Sequence, residues 1–223
     1  MKKNYTHISI ILDRTGSMES IRDDTIGGFN TFLKGQKAAT GAATLTLVQF
    51  DTQDPYEVIH DFVPLAQVPE LTRDTYIPRA STPLLDAMGR GINDLEKRIG
   101  LIPASRRPSK VIFVVITDGQ ENSSREFRKD QIAKMIKDRT EKDNWDFVFL
   151  SADLAAIHDA MAVGFHPGAV LVFEKDKAGT SSAWDSMSYQ ICARRAGHTK
   201  KVSFSDDDRK DPSDPNKQGN NQN

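Results

Sequence analysis

The sequence predicts an α/β fold: a mostly parallel central sheet of about six strands with helices on both faces. Three observations predict it. Short apolar runs rich in β-branched residues recur along the chain. Segments with helical spacing separate most of them. Several runs are apolar throughout rather than alternating, as strands covered on both faces are.

The strand candidates are HISIIL (7–12), ATLTLVQF (43–50), EVIHDFV (57–63), KVIFVVIT (110–117), WDFVFLS (145–151) and AVLVFE (169–174). The second alternates, which suits a strand nearer an edge. The link from it to the third contains DTQDP and is too short for a crossover helix. That pair is therefore expected to form an antiparallel hairpin at one edge. The expected order is the doubly wound, Rossmann-like 3-2-1-4-5-6.

Helical stripes fill the gaps. Met18, Ile21, Thr25, Phe29, Phe32 and Leu33 step by three or four. Gly27 and Gly28 interrupt this helix at roughly 1 kcal/mol each against Ala, which points to close packing. Leu84, Leu85, Met88, Ile92, Leu95 and Ile99 form the clearest stripe. Ile132, Met135, Ile136 and Arg139 form a third, with SSRE supplying a capping box from Ser123 to Glu126. A short helix is expected after Asp153, through Leu154, Ile157 and Met161, and Trp184, Met187 and Ile191 mark a last one. These stripes read as core. Residues 1–197 are expected to form one domain. The segment 198–223 has almost no apolar content and reads as a disordered polar tail, with SDDDRKD a solvated charge run.

Composition narrows the function. Hydrophobic residues make up 38% of the 223 and charged ones 27%, with a net charge of −1. That balance gives no reason to expect a nucleic acid or an anionic membrane as partner. Cys192 is the sole cysteine, so no disulfide or cysteine-based zinc site forms within one chain. It reads as a packed helix residue. MKKN resembles a signal-peptide start, but ISIIL is too short and runs into Asp13. The expected location is cytoplasmic. The chain lacks G-x-x-x-x-G-K-[ST], H-E-x-x-H and G-x-S-x-G patterns. His7, His60, His158, His166 and His198 are scattered, with no pair at ligand spacing.

Chemistry concentrates where two strands end in acids, at Asp13 and Asp118. In the expected order those strands are neighbours at the switch point, where open α/β sheets bind ligands. Thr15 and Ser17 lie in the loop leaving the first strand, in DRTGS. Thr82, in RASTPLLDAM, precedes the strongest helix stripe. Two carboxylates and three hydroxyls make an all-oxygen site, suited to Mg2+ or Mn2+. With so few protein charges, a bound ion keeps positions open for an outside oxygen ligand. Arg14, Met18, Asp51, Arg79, Gln120, Glu121 and Asn122 are expected around the crevice. Arg14 reads equally as a selector of acidic ligands or as a solvated loop arginine. Each loop taken alone also reads as ordinary turn and cap chemistry, with Ser17 and Thr82 capping the first two helices.

In this pattern the residues resemble the von Willebrand factor type A domains, in a bacterial or phage type. Those domains carry a metal-ion-dependent adhesion site: a D-x-S-x-S loop, a threonine from a second loop and an aspartate opening a T-D-G turn. The matching residues are Asp13, Thr15 and Ser17 in LDRTGSM, Thr82 in STPLLDA and Asp118 in ITDGQEN. Thr15 stands where serine is usual; the hydroxyl is kept and a methyl added. The resemblance covers about residues 5–197. It implies that Ser17, Thr82 and one or both aspartates bind the ion directly or through water. An Asp or Glu of a protein partner would fill the open position, making the chain a metal-dependent adhesion or adaptor module. Ring ATPases and large assemblies are among the partners it implies, and movement of the last helix on binding is a further expectation. Two alternatives stand beside it. One is a metal-dependent phosphatase or hydrolase with Asp13 as nucleophile, but the second acid such enzymes need two residues on is replaced by Thr15. The other is a metal-free structural scaffold.

Overall fold

The structure, a computed structural model, describes residues 2–209. Its sheet has six strands: β1 (Lys2–Asp13), β2 (Ala42–Phe50), β3 (Glu57–Pro64), β4 (Pro108–Thr117), β5 (Asp146–Ser151) and β6 (Val170–Val172). The order is β3-β2-β1-β4-β5-β6. Every pairing is parallel except β2 with β3, the edge hairpin. Among the described residues five α-helices surround it: α1 (Arg22–Ala38), α2 (Leu84–Leu101), α3 (Lys129–Asp143), α4 (Leu154–Ala162) and α5 (Lys177–Ala196). Fold class, strand order and edge pairing are those that the sequence predicts. Among the described residues no helix is long and apolar enough to cross a membrane.

Alternate strand residues feed two separate cores, which is why the central runs are apolar throughout. On one face Ile8, Ile10, Leu12, Val114 and Ile116 meet Phe29, Phe32 and Leu33 of α1 and Trp184, Met187 and Ile191 of α5. On the other, Ile11, Val48, Phe113 and Val115 meet α2, α3 and α4 through Met88, Ile92, Ile136 and Ile157. The alternation in β2 has a local cause. Thr44 and Thr46 share a face with His7 and Ser9, their register partners on β1. Phe62 covers this polar strip: its N–H donates to Thr46 Oγ1 (3.0 Å), and its ring stacks on His7 at 3.7 Å.

The paired glycines in α1 have opposite roles. A Cβ on Gly28 would lie 2.2 Å from Trp184 Cδ1, whereas nothing lies within 4 Å of one on Gly27. Gly28 lets α1 and α5 touch. Gly27→Ala is expected to raise stability by about 1 kcal/mol through helix propensity. Gly28→Ala is expected to lower it by roughly 1–3 kcal/mol, as overpacking does. Denaturant midpoints of the two variants, whose substitutions sit at adjacent positions, test this directly.

Two expectations are corrected. Helix α3 begins at Lys129, not beside Ser123, and the Gln131 side chain accepts from Arg128 N–H at 2.9 Å. The reason is that buried Asp86 accepts from the N–H groups of Arg125, Glu126 and Phe127 at 2.8–2.9 Å. Those donors have partners without forming a helix. The second correction concerns the expected tail. Residues 198–209 are placed on the domain, with Val202 and Phe204 buried in the α1/α5 core. Val202 N–H donates to Asp146 Oδ1 (3.3 Å) and Phe204 N–H to the Gly168 carbonyl (2.7 Å). Val202 and Phe204 alternate in KVSFS and present both apolar side chains to one side. The remainder of that segment, 210–223, lies outside the described residues.

Candidate functional site

Parallel pairing puts the carboxyl ends of β1 and β4 side by side, with Leu12 opposite Ile116. Asp13 and Asp118 therefore leave adjacent strands into the same crevice, at the point where the chain winds outward in both directions. A continuous run of contacts joins them. Asp13 Oδ1 accepts from Thr15 N–H at 2.7 Å, and Oδ2 from the Thr117 hydroxyl at 2.6 Å. The Thr15 and Ser17 hydroxyls are 3.1 Å apart, and Ser17 Oγ donates to Asp118 Oδ1 at 2.6 Å. The Asp13 carbonyl accepts from buried Tyr76 Oη at 2.6 Å, which fixes the strand end from below.

Thr82 reaches this neighbourhood by its backbone. Its N–H donates to Asn122 Oδ1 (3.0 Å) and its carbonyl accepts from Asn122 N–H (3.2 Å). Gly16 N–H donates to the Ala80 carbonyl at 3.0 Å, tying the 79–82 loop to the first loop. Three loops distant in sequence are thus stitched into one rim. Glu121 stiffens the third: it accepts from the N–H groups of Ser123 and Ser124 and from Leu85 N–H at 2.7–2.8 Å.

The electrostatics of the crevice are unfavourable as they stand. Asp13 is 0% exposed. Burial pushes its carboxyl up to about 7 against the hydrogen bonds from Thr117 and Thr15, and the charge of Asp118 adds to the rise. Asp118 Oδ2 is buried and has no hydrogen-bond partner. Lys175, from the loop between β6 and α5, places Nζ 2.6 Å from that oxygen, an ionic contact outside hydrogen-bond geometry. A cation fits these residues: the donors are all oxygen, one buried carboxylate oxygen accepts no hydrogen bond and already faces an ammonium, and two carboxyl groups share one crevice. Among the described residues no group of three or more His, Cys, Asp and Glu is placed to hold a metal, so hydroxyls would have to complete the set.

The expected rim divides. Gln120 and Asn122 are exposed and stay on it. Arg14 and Met18 do not: Met18 is buried in the α1/α5 core, and Arg14 is 5% exposed. Neither expectation for Arg14, ligand selector or solvated loop residue, holds. Its Nε donates to Asp51 Oδ2 at 2.7 Å, and it pairs with Glu57. Arg79 Nε reaches the same Asp51 oxygen at 2.9 Å. Burial opposes ionisation of Asp51, but the N–H groups of Asp54 and Gln53 and both guanidinium groups outweigh it, so its carboxyl titrates below the ordinary value. Arg14, Asp51 and Arg79 form a clamp beneath the loop. Cys192 is half-buried, and burial pushes its thiol up, as suits a packed residue. A cavity of about 410 Å³, lined by Tyr56, Phe62, Leu95 and Arg98 among others, contains none of the candidate residues.

Three residues that support or contact the crevice loops escaped the sequence: Lys175, Tyr76 and Asp86. Only tertiary placement distinguishes them, although Asp86 stands out as an acid within the strongest apolar stripe.

No protein-family model matches the chain, and no curated protein sequence matches it. Solved structures do. A von Willebrand factor type A protein from Catenulispora acidiphila superposes with a TM-score of 0.57 at 13% identity, over 85% of this chain and 43% of that one. Proximal thread matrix protein 1 from the mussel byssus, with a zinc-occupied MIDAS motif, gives 0.53 at 14%, over 84% and 46%. Manganese-loaded TRAP protein from Plasmodium vivax gives 0.52 at 13%, over 81% and 73%. The chain thus spans less than half the length of the first two. At such identities the likeness concerns the fold alone: this chain is folded like von Willebrand factor type A domains.

Proposed function

We infer that the crevice at the ends of β1 and β4 binds a divalent cation, Mg2+ or Mn2+, and through it a carboxylate of a protein partner. One observation carries the reading. The buried Asp118 Oδ2 accepts no hydrogen bond, has only the ionic contact with Lys175, and belongs to a cluster whose other oxygens are carboxylate and hydroxyl. Ser17, Thr82 and Asp118 are the proposed ligands, with Asp13 and Thr15 acting directly or through water. The ion would supply a Lewis-acidic position open to an outside carboxylate. The stitched loops keep the donors in place, so little order has to be created on binding. The fold likeness to structures described as zinc-occupied and manganese-loaded supports the reading.

A protein-binding role is favoured over hydrolysis by the state of Asp13. Both its oxygens accept short hydrogen bonds and it is 0% exposed, which supports a part in the ion's surroundings over direct attack on a substrate. The residue two positions on, Thr15, is buried too.

Calorimetric titration of Mg2+ and Mn2+ into the full chain tests the ion, and peptide display on Mn2+-loaded protein tests the ligand. The expected results are one site per chain and selection of Asp- or Glu-bearing peptides that EDTA releases. Absence of ion binding into the millimolar range, with peptide selection indifferent to EDTA, would overturn the reading in favour of a metal-free scaffold.

A further inference from the structure

The crevice already contains a cation. Lys175 Nζ lies 2.6 Å from Asp118 Oδ2, and the Lys175 side chain remains 36% exposed while the Asp118 side chain is 0% exposed. The ammonium therefore enters from solvent and ends on a buried carboxylate.

The backbone that delivers it is held on both sides. Before Lys175, Phe173 N–H donates to the Ser151 carbonyl at 3.1 Å, fixing the loop to the end of β5. After it, Asp176 caps α5 by accepting from Gly179 N–H at 2.7 Å, and Asp176 N–H donates to the Glu174 carbonyl at 2.8 Å. Gly179 lies so close to Glu174 that a Cβ there would meet its carbonyl oxygen at 2.3 Å. The α-carbon of Lys175 is thus anchored, while its charge rides on a flexible four-carbon stem. The stem can swing the ammonium out into water without moving the loop.

We propose that Lys175 is a built-in competitor for the ion: it neutralises Asp118 when no divalent cation is present and sets the ion concentration at which the site fills. The proposal rests on the metal-binding reading above and deepens it. Its physical basis is charge. An ammonium and a divalent ion cannot both contact one carboxylate oxygen in a buried crevice without strong repulsion. Occupation of the site requires Lys175 to leave, so the ion's net affinity is lowered by whatever the Lys175–Asp118 contact contributes. The arrangement also favours divalent over monovalent ions, because a single charge only replaces the one already there.

The test is calorimetric titration of Mn2+ into the wild type, Lys175→Met and Lys175→Arg, with acylation footprinting of Lys175 in the wild type as a second readout. Met keeps the stem and removes the charge; Arg keeps the charge. Lys175→Met is expected to bind Mn2+ at least tenfold more tightly than the wild type, with Lys175→Arg close to the wild type. Footprinting is expected to show faster acylation of Lys175 in saturating Mn2+ than in EDTA. Equal affinities in all three proteins, with acylation unchanged by Mn2+, would overturn the proposal and leave the metal-binding reading standing. Binding in none of the three would overturn both.

Discussion

Replacing Asp118 with alanine is expected to weaken Mn2+ binding by at least about a hundredfold while leaving the fold intact. The size follows from charge in a buried place. At about 4 Å and an effective dielectric near 20, a pair of unit charges interacts by about 4 kcal/mol, and a divalent ion by about twice that. A hundredfold loss is about 2.7 kcal/mol, a conservative fraction of that interaction. The fold should tolerate the change because Asp118 contributes no backbone contact through its side chain; it accepts from Ser17 and faces Lys175. Removing it also relieves repulsion with Asp13, whose carboxyl the neighbouring charge helps to hold up. Asp118→Asn should behave similarly, since an amide keeps the Ser17 contact but not the charge. Calorimetry on both variants, with circular dichroism as a check of folding, gives the comparison. Retained affinity in Asp118→Ala would mean that any bound ion sits elsewhere.

Arg14→Ala is expected to cost about 3–5 kcal/mol of stability, the range for breaking a buried ion pair by removing one partner. Arg14 is 5% exposed and Asp51 is 0% exposed, so the loss leaves a buried carboxylate undercompensated. Two backbone N–H groups and Arg79 remain on Asp51, which places the expected value toward the lower end. The mutation also reaches the site. The Arg14 carbonyl accepts from Arg79 N–H at 2.8 Å, and Arg14 N–H donates to the Phe50 carbonyl at 3.2 Å. A loosened clamp would let the 13–17 loop drift from the 79–82 loop. Arg14→Met combined with Asp51→Asn should recover much of the stability, because it removes both charges and keeps the aliphatic stem. Urea denaturation of the single and double variants measures it. A loss below 1 kcal/mol for Arg14→Ala would show that the clamp is not structural.

The sheet was legible in the sequence because its signals are redundant. Runs apolar on both faces require cover on both sides, and a link as short as DTQDP permits only an antiparallel partner. Asp13 and Asp118 were legible for the same reason: each ends a strand, and strand order makes them neighbours. Arg14 was misjudged because a turning loop sends successive side chains to different sides, and no periodicity survives there to say which; Met18 was placed both in the first helical stripe and on the rim, and the stripe is where it belongs. The start of α3 was misjudged because Asp86, about forty residues earlier in sequence, takes the N–H groups that a helix would otherwise have used. Val202 and Phe204 were hidden in a polar run whose composition outweighed a two-residue pattern. Lys175 could not be read at all. A lysine in a loop after an edge strand is ordinary until the fold places it on Asp118.

Anomalous diffraction from crystals of the wild-type chain soaked in Mn2+ tests most directly whether the crevice holds an ion. The expected result is an anomalous peak bonded to Ser17 Oγ and the Asp118 carboxylate, with the Lys175 ammonium moved off Asp118. A crevice without a peak in millimolar Mn2+, with Lys175 still in contact with Asp118, would contradict it.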